Sequence, residues 1–102
     1  MPTDNIDYRR MTERLRHIKQ LISNGQTEEA IVLLNGLLSE QTEAADDVHY
    51  LLGNAFRKQG DWQGALNHYQ EAITINPESP AKEARNMALD ILNFYNKDMY
   101  NQ

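Results

Sequence analysis

A chain of 102 residues, 40% hydrophobic and 25% charged, makes one small soluble domain, with surface enough to bury one core and not two. The absence of cysteine excludes disulfide frameworks, thiolate catalysis and cysteine-ligated metals, and a formal charge of -5 argues against indiscriminate binding to nucleic acid. MPTDNIDYRR lacks the apolar run of a secretory signal and nothing downstream approaches a membrane span, so a cytoplasmic protein is the expectation.

Residues 1–6 have one apolar anchor, Ile6, and are expected to form a flexible lead-in. From about Asp7 to Ser23 the residues Tyr8, Met11, Leu15, Ile18 and Ile22 are spaced 3, 4, 3 and 4 apart, which predicts a helix with one buried stripe. Asn24-Gly25 ends it, the glycine supplying a left-handed C-cap. A second helix opens at Gln26 or Thr27, with Glu28 and Glu29 in the first turn favouring the helix dipole. Its run AIVLLNGLL is nearly all apolar, so cover on more than one side is expected. Gly36 in its middle costs about 1 kcal/mol against alanine, which suggests the close approach of a neighbouring helix.

A loop, SEQTEAADD, leads into a third helix over about Ala45–Gln59, and a fourth follows over about Trp62–Ile75. Between them Gly60 suits a C-cap and Asp61 an N-cap. Asn76-Pro77 stops the fourth helix, because proline disfavours helical geometry in the residue before it. Ser79-Pro80 starts a fifth, with Ala84, Met87, Ile91, Tyr95 and Met99 on one stripe, ending after Asn93. An internal repeat is also legible. Gly25 and Gly60, Ala30 and Ala65, Leu34 and Tyr69, and Leu37 and Ala72 are each 35 apart (60 − 25 for the first pair). Ile18 aligns with either Leu52 or Gly53.

Residues 46–79 carry His49, Leu52-Gly53, Phe56, Ala65, Tyr69 and Pro77 in order. The tetratricopeptide-repeat signature is Trp, Leu-Gly, Tyr, Ala, Phe and Pro over about 34 residues. With aromatic swaps counted, the stretch resembles that family at six of seven marks, and residues 7–42 read as a degenerate second copy. The resemblance implies an all-α, right-handed superhelical stack of antiparallel helix pairs: about two repeats and a capping helix, five helices in all. The whole chain, 1–102, would form one such domain, with residues 80–98 as capping helix and aromatic tail. Gly53, Ala65 and Ala72 let backbones approach, Leu52, Phe56, Leu66 and Tyr69 fill the space, and Trp62 covers the turn.

No chemistry-bearing constellation stands out. His17, His49 and His68 fall on three different helices, none with a second histidine three or four residues away, and no Gly-rich phosphate loop is present. No enzyme activity, metal or cofactor is expected, and His49 reads as packing in an aromatic slot. The cations are more informative. All ten lie in the first, third or fifth helix: Arg9, Arg10, Arg14, Arg16 and Lys19, then Arg57 and Lys58, then Lys82, Arg85 and Lys97.

In the resembled family the first helix of each pair lines a concave groove, which here would be basic, with an acidic back. Its peptide-binding members hold a carboxylate with Asn, Lys and Arg, donors that make charge-assisted hydrogen bonds to its oxygens. Carried over by place in the repeat, the groove residues are Leu15, Arg16, Lys19, Tyr50, Asn54, Arg57 and Arg85. The tail adds Phe94, Tyr95, Met99 and Tyr100, more aromatic and apolar surface than a small domain readily covers, and so a candidate interface. The expectation is a protein- or peptide-binding adaptor with a basic groove for an acidic or carboxylate-bearing segment. The alternative is a structural subunit that forms homodimers or larger assemblies through the C-terminal helix. Nucleic acid ranks last, since few aromatics stand beside the basic residues and the net charge is wrong.

Overall fold

Among the described residues five helices follow one another: α1 (Pro2–Ser23), α2 (Thr27–Ser39), α3 (Ala45–Lys58), α4 (Trp62–Ile75) and α5 (Ala81–Tyr100). The computed structural model describes the backbone of residues 2–100 and the side chains of residues 9–94. No strand occurs among the described residues. α1 reaches back through residues 2–6, expected above to be a flexible lead-in, with proline at the first helical position, where its missing N–H is not needed.

Both helix pairs are joined by the same turn. Gly25 (φ 87°) donates to the Ile22 carbonyl at 3.0 Å, and Gln26 N–H to that of Leu21 at 2.8 Å. Thirty-five residues on, Gly60 (φ 84°) donates to Arg57 and Asp61 N–H to Phe56, both at 2.9 Å. These paired bonds satisfy the last carbonyls of a helix and require a left-handed residue, which glycine adopts without a Cβ penalty. Asp61 then caps α4, its Oδ1 accepting from Gly64 N–H at 2.9 Å. Asn76 ends α4 in extended geometry, and the Ser79 hydroxyl accepts from Ala81 N–H at 3.1 Å to start α5.

The repeat is also a packing repeat. Ala30 and Ala65, Leu34 and Tyr69, and Leu37 and Ala72 are all buried, none more than 1% exposed. At the same offset Ile18 corresponds to Gly53 rather than Leu52 (53 − 18 = 35). The volumes compensate: the second repeat sets Gly53 against a full tyrosine ring, the first sets Ile18 in the same cluster as the smaller Leu34.

Each helix packs on its neighbours in sequence, and α1 also touches α3. The result is elongated, 62 × 28 × 19 Å, with a radius of gyration of 15.3 Å against about 13 Å for a compact domain of this length. A quasi-linear stack has that shape. Its core is not single, as the chain length suggested. One cluster joins α1, α2 and α3 around Ile18, Leu34 and Leu52; a smaller one joins α4 and α5 around Tyr69 and Ala81. Tyr50 and Phe56, both half-buried, pack against both.

Three expectations need correction. α2 is covered on one face only: Ala30, Leu34 and Leu37 are buried, whereas Val32 is 69% and Leu33 39% exposed, on the side away from α1 and α3. Gly36 has no neighbour within 4 Å of where a Cβ would stand, so no helix approaches it. On α5 the buried stripe is Ala81 and Ala88, with Ala84 and Leu92 half-buried, while Met87 is 58% and Ile91 37% exposed. Small residues are what bring α5 close to α4; the larger ones point elsewhere. Tyr95 and Met99 of the expected stripe lie outside the described side chains.

Candidate functional site

Two cavities of about 1060 and 650 Å³ share Lys19, Tyr50 and Leu51 as a common wall, and so form one trough between α1, α3 and the flank of α5. α1 supplies Leu15, Arg16 and Lys19 because Lys19 follows the adjacent Leu15 and Arg16 by four and three residues on one face, beside the buried Ile18 and Ile22. α3 supplies Tyr50, Asn54 and Arg57 by the same spacing, beside the buried Leu51 and Leu52.

Six of the seven groove residues named from sequence therefore line the trough. Leu15, Arg16, Lys19 and Tyr50 line the larger cavity; Lys19, Tyr50, Asn54 and Arg57 line the smaller. Arg85 lines neither. Its guanidinium donates across the seam to Gln70 Oε1 on α4 at 2.9 Å, and within α5 to Asn86 Oδ1 at 3.4 Å. Sequence reasoning did not single out Lys58, Trp62 and Ile91, which complete the smaller cavity. Trp62, expected to cover the turn, is half-buried, and Ile91, expected in the buried stripe of α5, is 37% exposed. Of the tail residues, Phe94 is 65% exposed, and the side chains of Tyr95, Met99 and Tyr100 lie outside the described residues.

The trough is not uniformly basic. The larger cavity includes Glu43, Asp46 and Asp47. Counting charge helix by helix hid them, because acids favour the first turn of a helix and the groove runs past the first turn of α3. Asp47 is exposed by surface area, yet partial desolvation beside the trough wall, then repulsion from Asp46, raises its carboxyl above its ordinary pKa, with Lys19 opposing. The smaller cavity has Lys19, Arg57 and Lys58 and no acid. Arg14 of α1 reaches Glu40 at 3.3 Å on an exposed surface, where such a pair contributes little.

Asn54 is held from behind. The Tyr69 hydroxyl donates to its Oδ1 at 2.6 Å, leaving the amide N–H groups as the available donors. Burial raises the Tyr69 pKa to about 12, so the hydroxyl keeps its proton throughout the physiological range.

A second cluster unites residues that the sequence left apart. His49 and His68 face each other with Nδ1 atoms 3.0 Å apart and ring centroids 5.3 Å apart. Those two distances describe rings meeting edge to edge, with one proton between two nitrogens. The Phe56 ring lies parallel to His68 at 5.3 Å between centroids. Burial, then the proximity of His49, lowers the His68 pKa, against the pull of Glu71 and Asp61. No helical histidine spacing signals this pair; the packing of α3 on α4 makes it. Among the described residues no group of three or more His, Asp or Glu is placed to hold a metal ion.

A family model described as tetratricopeptide repeat matches residues 46–79. The solution NMR structure of Bacteroides fragilis protein BF1650 is similar to this chain at 57% identity and a TM-score of 0.78, over 86% of this chain and 89% of that one. A comparison with curated proteins gives no match. The matched repeat, its buried counterpart 35 residues earlier and the agreement in fold lead to one conclusion: the chain belongs to the tetratricopeptide-repeat family.

Proposed function

We propose that this chain is a non-enzymatic adaptor that binds an acidic or carboxylate-bearing segment of a partner protein in the trough between α1 and α3. Repeats of this family mediate protein–protein interaction. The observation that carries the finer reading is the smaller cavity. Lys19, Arg57, Lys58 and the outward amide of Asn54 converge there, beside the apolar Trp62 and Ile91. Cationic and amide donors meet carboxylate oxygens with charge-assisted hydrogen bonds, and the adjoining apolar wall accepts a side chain. A trough this short supports micromolar affinity, roughly −8 kcal/mol. Fluorescence anisotropy with a short Glu-rich peptide tests it. Arg57→Ala or Lys58→Ala weakens binding about tenfold while Val32→Ser on the back leaves it unchanged; equal affinity in all three removes the groove assignment.

Exposed Met87, Ile91 and Phe94, at i, i+4 and i+7 on one face of α5, support a second reading, self-association through that helix. Sedimentation equilibrium decides it: a dimer that Met87→Ser converts to monomer supports the reading, and a monomer at all concentrations removes it.

A further inference from the structure

The trough carries charge of both signs, ordered along one helix. Asp46 and Asp47 stand in the first turn of α3, with Glu43 before them; Arg57 and Lys58 stand in its last turn. Lys19, Tyr50 and Leu51 wall both halves, so one bound segment passes both ends. At the acidic end three carboxylates face two cations, Arg16 and the shared Lys19, and Asp46 Oδ2 also accepts from Asn76 Nδ2 at 3.0 Å. Asp47 and Lys58 are 58 − 47 = 11 residues apart, about 16 Å of helical rise. An extended peptide covers about 3.3 Å per residue, so the same distance spans about five residues.

From this juxtaposition we infer that the groove selects a partner segment bearing a cationic side chain and an anionic group about five residues apart, with an apolar residue between them over Tyr50 and Leu51. The inference rests on the peptide-binding reading above and adds to it an internal ruler. A segment with the two charges closer together leaves one end of the trough unmatched, and one that is acidic throughout meets like charge at Glu43, Asp46 and Asp47.

Four labelled peptides of equal length test it by anisotropy: Lys and Glu five apart in each order, Lys and Glu two apart, and Glu alone at both places. The better of the five-apart peptides binds about tenfold tighter than either other kind. Asp47→Lys, at an exposed position, abolishes that advantage and strengthens the all-acidic peptide. Glu43→Lys, outside any helix, does the same and guards against a folding defect in the first variant. Equal affinity for both spacings, or the same ranking in both variants, overturns the ruler. If the all-acidic peptide still binds and is weakened by Arg57→Ala, the groove reading survives that loss; if no peptide binds, both fall.

Discussion

Two glycines inside neighbouring helices show how far one contact decides a residue's value. A Cβ on Gly53 would stand 2.5 Å from Cδ1 and 3.0 Å from Cζ of Tyr69, a ring that is fully buried and held by its bond to Asn54. A Cβ on Gly36 would meet nothing within 4 Å. Gly53→Ala is therefore expected to destabilise by about 1–3 kcal/mol through overpacking. Gly36→Ala is expected to stabilise by up to about 1 kcal/mol through helix propensity. Urea denaturation of the two variants checks both signs, and a shared sign contradicts the packing described for Tyr69. The histidine pair gives a pH dependence. The folded pKa of His68 lies below the unfolded value near 6.5, so the unfolded chain binds more protons between the two. The stability of the neutral pair is complete above about pH 6.5 and is lost as pH falls through that value towards the folded pKa. Thermal midpoints measured from about pH 7.5 to 5 should fall more for the natural chain than for His68→Phe; parallel curves would contradict a shared-proton contact.

At the level of the elements, boundaries were largely legible because each is fixed by local chemistry. Gly25 and Gly60 mark two identical turns, Asp61 caps α4, and Asn76-Pro77 stops it. Burial on the outer helices was less so. Apolar periodicity finds a stripe but not the neighbour that covers it, and α5 offers two stripes. The one with larger side chains, Met87 and Ile91, looked like core, whereas the alanines at 81 and 88 are the residues that seat the helix. Ala88→Leu should accordingly cost about 1–3 kcal/mol by forcing α5 from α4, while Met87→Ser stays within about 0.5 kcal/mol. Guanidinium denaturation ranks the two, and the reverse order would restore the stripe expected from sequence. The all-apolar run of α2 misled in the same way, since a stack of helix pairs leaves the outer face of α2 open at Val32 and Leu33. Six of the residues expected in the groove line the trough because spacing of three and four along α1 and α3 sets their face once the buried face is known. Arg85 does not, because its direction depends on Gln70 of the adjoining helix.

For the whole molecule, the elongated stack puts the polar faces of α1 and α3 along a trough in which acids and cations are ordered by position, a pattern the net charge of -5 does not reveal. Both the histidine pair and the Val32–Leu33 surface lie among residues that line neither cavity, so binding in the trough and changes at those places should be independent. The most direct measurement is an amide-resolved NMR titration of the chain with the five-apart Lys/Glu peptide. Shifts should concentrate at Lys19, Tyr50, Asn54, Arg57 and Lys58, with a second set at Asp46 and Asp47. Shifts confined to α2, or to the exposed face of α5, or none at saturating peptide, would contradict the trough as the binding surface.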